Sequence, residues 1–297
     1  MERVSFYTQI SKNKRDSILI VVPILLFVVV IVLIMGEVFV PEVALFLAVF
    51  ATVFVLIDAW ASYRYGDKVV ISSVKAYEPD PVKHAYYINT VEGLALAAGI
   101  PKPKAYIIPS KEINAFATGR DPKNASMAVT EGALEKLNRQ ELEGVIAHEM
   151  SHIGNYDIRF ALMVAIFVGL IAILSHMFLR SLWYGGGGSG GKDKGGGVII
   201  MVGIILAILA PIAARLAQLA ISRRREYLAD ATGAKLTRYP AGLASALEKI
   251  KTANQGNMNV SEAMSHLFIS DPKKSFADNI FATHPPIDDR ITKLRAM

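Results

Sequence analysis

The apolar positions of this chain follow two rhythms. In four blocks, 18–35, 43–57, 160–179 and 198–221, they run on almost without interruption. The first block holds 18 residues without a charge, the length a helix needs to cross a bilayer. A cleaved signal peptide has a shorter apolar core and a small-residue cleavage site, so this block reads as an uncleaved span. Gly36-Glu37 and Pro41-Glu42 turn the chain into the second block, which predicts a helical hairpin. Trp60 and Tyr63 suit the belt of aromatic side chains at a membrane surface, and Trp183 and Tyr184 mark the end of the third block in the same way. Between the third and fourth blocks, residues 185–197 contain nine glycines with Ser189, Lys192, Asp193 and Lys194, the composition of a flexible linker.

Elsewhere polar and apolar positions alternate at the periods of folded soluble elements. Residues 81–98 predict a helix closed by Gly99 and Pro101. Residues 104–109, 115–118 and 126–130 predict short strands separated by Gly, Pro, Asn and Asp. Asn138 followed by Glu141 predicts a capping box, and Leu142, Val145, Ile146, Glu149 and Ile153 continue at helical spacing. Residues 226–297 read as helical apart from a polar break at 254–259 and a turn at Thr283-His-Pro-Pro286. The fold expected is mainly α with a small β-sheet: four transmembrane helices plus a cytosolic domain. Its divisions are an N-terminal hairpin (1–60), a first part of the cytosolic domain (61–158), a second transmembrane pair with the 185–197 linker (159–221) and a second part of the domain (222–297).

The net charge of +6 admits a nucleic-acid partner, but the basic residues cluster at the ends of the apolar blocks. They are better explained by membrane orientation. Basic ends at 1–15, 64–75 and 223–225 put both termini in the cytosol, with Glu37, Glu42 and the glycine linker outside. The chain has no cysteine, so any metal must be held by His and carboxylate.

The candidate chemistry lies at His148-Glu149-Met150-Ser151-His152. Residues four apart share a helix face, so His148 and His152 can offer two imidazoles to one zinc ion. Glu149 stands beside them as a general base for the attacking water. A third ligand must lie on the same side of the membrane, and the segment after the fourth block qualifies. There Glu226 and Asp230 are four apart, Glu226 as ligand and Asp230 as acceptor of a ligand His ring N–H. Asp157 is the next candidate ligand. His84 and His266 lack a partner pattern, and His176 reads as interfacial.

With these motifs the chain resembles the HtpX family of membrane-bound zinc metalloproteases, kin to the Ste24-type CAAX proteases. The likeness rests on the N-terminal hairpin, Asn114-Ala-Phe-Ala117, His148–His152, two further apolar blocks, Glu226-Tyr-Leu-Ala-Asp230 and Thr283-His-Pro-Pro286 followed by Arg290. It implies one zinc per chain, a glutamate third ligand and hydrolysis of polypeptides, membrane proteins among them, at the cytosolic face of the cell membrane in membrane quality control. It also implies that Asn114 and His284 contact substrate or the reaction intermediate and that Arg290 supports the site. The partners expected are polypeptide substrates and the lipid bilayer, with no nucleic acid. Two rival readings are a CAAX-type prenyl-protein protease, for which four blocks are few, and a non-catalytic zinc-stabilised scaffold, which would close its site with four protein ligands.

Overall fold

The computed structural model describes residues 44–168, 223–272 and 285–297, with isolated positions 11, 15, 19 and 42. The first and fourth apolar blocks, the rest of the third, the glycine linker, His176 and His284 lie outside the described residues. Helix α1 (Ala44–Ser73) is followed by α2 (Ala85–Ala98), strands β1 (Lys104–Ile108), β2 (Ala115–Gly119) and β3 (Ala125–Thr130), then α3 (Glu131–Lys136) and α4 (Arg139–Gly154). Helix α5 (157–168) closes the first described part. After it come α6 (Arg223–Thr237), α7 (Pro240–Ala253), α8 (Glu262–Ser265) and α9 (Ile287–Arg295).

The sheet has the order β1-β3-β2, with β3 parallel to β1 and antiparallel to β2. Side chains on successive strand residues point to opposite faces. Ala115, Ala117, Met127 and Val129 accordingly enter one core with α2, α4, α7 and α9. Phe116 and Ala128 enter a second with Val70 and Ile71 of α1, Val74 in the turn that follows it, Leu162 of α5 and Phe268. Both faces are covered, which is why every residue of β2 and β3 is buried.

Helix α1 does not stop where its apolar block ends. It runs 30 residues because Val70 and Ile71 give its last turn a buried face against the sheet. The division expected at 60/61 therefore falls inside one helix. Gly66 lets α5 approach α1: a Cβ there would meet Leu162 and Ile166 at 3.1 Å. Among the described residues no helix is long and apolar enough to cross a membrane. The first half of α1 nevertheless exposes Leu45, Phe46, Val49, Phe50, Val53 and Phe54.

Helix α2 begins at Ala85, four residues later than the pattern suggests. The carboxylate of Asp80 accepts from the N–H groups of Val82 and Lys83 at 2.8 and 2.7 Å and folds 81–84 into a turn. It ends at Gly99, in the left-handed region at φ 67°, as expected. The capping box of α4 is present: Asn138 Oδ1 accepts from the Glu141 N–H at 3.0 Å, and Glu141 Oε2 accepts from the Asn138 N–H at 2.7 Å.

Candidate metal centre

The two histidines of α4 lie one turn apart, their rings 4.8 Å apart and nearly perpendicular at 86°. Helix α6 crosses α4 at close range because Gly233 has no side chain. A Cβ there would stand 3.0 Å from the backbone nitrogen of His148. That crossing delivers Glu226 and Asp230, one turn apart, to the two histidines. His148 Nε2 and His152 Nε2 are 3.2 Å apart. Glu226 Oε2 stands 3.7 Å from His148 Nε2, and Oε1 3.5 Å from His152 Nε2. One ligand atom from each of these three residues can meet at a metal ion. Donors at ~2.0–2.1 Å from a tetrahedral zinc stand about 3.4 Å apart, so the spacing suits such an ion.

The other ring nitrogens face carboxylates. His148 Nδ1 is 3.0 Å from Asp230 Oδ1, and His152 Nδ1 is 3.0 Å from Asp157 Oδ2. Each carboxylate fixes the tautomer that leaves Nε2 as the donor to a metal. Asp157 thus sits behind the His152 ring, on the opposite side from Glu226. Arg290, 1% exposed, holds Asp230 through two hydrogen bonds, Nη2 to Oδ1 at 2.7 Å and Nε to Oδ2 at 2.9 Å. It also lies 3.5 Å from Glu226 Oε2 and donates to the Ile269 carbonyl at 3.3 Å.

The charges follow from this packing. Burial pushes His148 below its ordinary pKa, toward the neutral form a metal requires. Burial also opposes a charge on His152, but Asp157 and Glu226 outweigh it and raise that pKa to about 9 in the metal-free site. Burial would raise Asp230, yet the Arg290 guanidinium and the His148 ring hold it at about 2. Glu149, 2% exposed, is pushed up to about 7, chiefly by burial, with Glu226 adding to the rise and His152 opposing it. Its carboxylate also accepts from the backbone N–H of Ala117 on β2, which ties it to the sheet edge.

A cavity opens onto these groups, lined also by Ala117, Ile158, Ala161, His266 and Phe268. Asn114 is not among its lining residues. Its side chain is buried and spans two segments: Nδ2 donates to the Ser270 carbonyl at 2.9 Å, while Oδ1 accepts from Ala115 N–H at 3.1 Å and Ser270 N–H at 3.3 Å. The segment it fixes lies along β2, where Ile269 N–H donates to the Ala115 carbonyl at 2.9 Å. His266, which the sequence pattern passed over, reaches the cavity with Nε2 donating to the Ala161 carbonyl at 3.0 Å. Arg225 is likewise an addition, 3.8 Å from Asp157 and over the Phe160 ring. Its place directly before Glu226 was the only available signal. Nothing local to His266 marked it.

Fold and centre together are those of a metallopeptidase. The model of peptidase family M48 matches residues 81–297, and the chain belongs to that family. It is 47% identical to a protease HtpX homolog of Caldanaerobacter subterraneus subsp. tengcongensis over 252 residues, 84% of either chain. To the protease HtpX homolog of Dictyoglomus thermophilum it is 44% identical over 303 residues, covering all of this chain and 96% of the relative. Among solved structures, that of S. mikatae Ste24p superposes with a TM-score of 0.50 at 19% identity, and the match covers 90% of this chain and 62% of that one. That likeness shows the fold alone: a mainly helical, Ste24-like arrangement with a small three-stranded sheet. The chain is a metalloprotease, and its HtpX relatives support the membrane metalloprotease expected from its motifs.

Proposed function

We propose that the protein is a zinc-dependent endopeptidase that cleaves misfolded or damaged membrane proteins at the cytosolic face of the cell membrane. The observation that carries the catalytic reading is the convergence of His148, His152 and Glu226 within 3.2–3.7 Å beside the buried Glu149. These three residues would hold a zinc ion, which would supply a Lewis acid for a scissile carbonyl and for water acidified toward pKa ~7. Glu149, with a pKa raised to about 7, takes the proton of the attacking water and returns it to the leaving amine. Asp230 and Asp157 hold the two imidazoles in the required tautomers, and Arg290 holds Asp230. His284 is assigned to the developing oxyanion. Asn114 acts through the strand edge it fixes, and an extended substrate pairs with that edge beside Ala117.

The same reading puts the four apolar blocks across the bilayer, with the domain divisions at 60, 158 and 221 and both termini in the cytosol. The exposed apolar side chains of α1 support it, since such a face costs free energy in water and none in lipid. Metal analysis and peptide hydrolysis of wild type and Glu149→Gln test the catalytic reading. The variant is expected to keep its metal and lose about 10²–10⁴-fold in turnover, the contribution of a general base. Retention of most activity would remove Glu149 from the mechanism.

A further inference from the structure

We propose that a cationic collar around Tyr63 and Tyr65 binds the phosphates of anionic phospholipids and seats the protease domain on the membrane surface. This rests on the reading that the apolar half of α1 enters a bilayer. Along α1 the exposed side chains change in order from apolar (Val53, Phe54, Ile57) through Trp60 to Arg64, Tyr65 and Lys68. That is the succession of hydrocarbon, interface and headgroup environments.

Three separate segments contribute to the collar. From α1, the Arg64 guanidinium lies 5.6 Å from the Tyr65 ring centre and Lys68 Nζ lies 5.5 Å from it. From α5, Arg159 covers the Tyr63 ring at 5.1 Å. From the β2–β3 loop, Arg120 approaches the same ring at 6.0 Å and donates to the Arg64 carbonyl at 3.1 Å. The loop is held in shape by Asp121, whose carboxylate accepts from the backbone and side-chain nitrogens of Asn124 at 2.9 and 2.8 Å. It presents Lys123 to solvent.

The carboxylates nearby are few. Asp121 stands 3.4 Å from Arg120, and Asp67 lies on α1. Among the described residues Arg64, Lys68 and Arg159 have no carboxylate within ion-pair distance. The collar is therefore a net positive surface, continuous with an apolar face. An anionic lipid surface satisfies both at once, with phosphates on the cations and acyl chains on the adjoining helix. One consequence bears on catalysis. The β2–β3 loop directly continues the strand whose Ala117 touches Glu149, so docking by Arg120 fixes the distance between the site and the bilayer.

The test uses the full-length protein reconstituted in vesicles of phosphatidylcholine mixed equally with phosphatidylglycerol. A donor dye is placed at Lys123→Cys in this cysteine-free chain, and the acceptor is carried on the headgroup of one lipid or the other. Several-fold stronger transfer to the phosphatidylglycerol acceptor is expected, weakening with salt. Each cation removed should lower the apparent surface affinity about five-fold. Arg64→Gln, Lys68→Gln and Arg159→Gln together should bring the two acceptors to parity, while Arg64→Lys with Arg159→Lys keeps the preference. If the triple variant fails to fold, Lys68→Gln on the exposed face of α1 is read instead, and no loss of preference there overturns the proposal. Equal transfer to both acceptors in the parent overturns it while leaving the membrane reading intact. A parent protein that fails to float with these vesicles overturns both.

Discussion

Arg290 and Asp230 meet in a two-point, fully buried contact, with Nη2 to Oδ1 at 2.7 Å and Nε to Oδ2 at 2.9 Å, 60 residues apart in the chain. The same carboxylate oxygen Oδ1 faces His148 Nδ1 at 3.0 Å. Helix α9 thus reaches the candidate metal centre twice, through Asp230 to His148 and directly at Glu226, whose Oε2 lies 3.5 Å from Arg290. Arg290→Met should leave Asp230 as an uncompensated buried charge and cost roughly 3–5 kcal/mol in stability. Arg290→Lys keeps the charge but not the fork, so it should recover part of that loss. Chemical denaturation of the three proteins checks the order.

Asp157 and Glu226 make opposite predictions although both are buried carboxylates near His152. Glu226→Ala removes a donor and should empty the centre of metal. Asp157→Asn leaves all three donors and should weaken metal binding about 10–100-fold, the usual cost of losing a carboxylate behind a ligand histidine. Equilibrium dialysis against zinc separates them. Full zinc occupancy in Glu226→Ala would assign the third ligand elsewhere.

The pKa of His152 fixes the pH dependence of metal uptake. In the metal-free protein it is raised to about 9, so at pH 7 the ring carries a proton that zinc must displace. Zinc affinity should therefore climb with pH up to about 9 and level off above it. Titration calorimetry in buffers of different ionisation enthalpy should record close to one proton released per zinc from this group at pH 7–8. The release should fade above pH 9. A flat affinity across that range would mean that Asp157 and Glu226 do not hold the proton there.

Orientation is checked with the same absence of cysteine. A cysteine at Ser189, in the glycine-rich linker, should react with an impermeant thiol reagent applied to intact cells, and one at Glu135, on the exposed face of α3, should not. Equal labelling of both would overturn the four-span arrangement.

The sequence by itself determined what depends on neighbours in the chain. The i, i+4 spacing put His148 beside His152 and Glu226 beside Asp230, because a helix turn is a local property. Asn138 and Glu141 marked the start of α4, and Gly99 marked the end of α2, because capping uses groups within a few residues. The three strands were legible to within a residue from their turn punctuation. What lay between distant segments was decided by the tertiary structure. Asp157 stood as a possible ligand until the fold turned it to Nδ1 of His152, behind the ring, since direction in space is not encoded in spacing. Asn114 was tied to substrate through its motif, whereas its hydrogen bonds to Ser270 depend on a segment 156 residues away. His266 entered the cavity for the same reason, carried there by a turn that pairs with the edge of β2. Helix α1 ran past the end of its apolar block because Val70 and Ile71 found a sheet to cover. Burial is a relation between elements, and it exists only once they are packed.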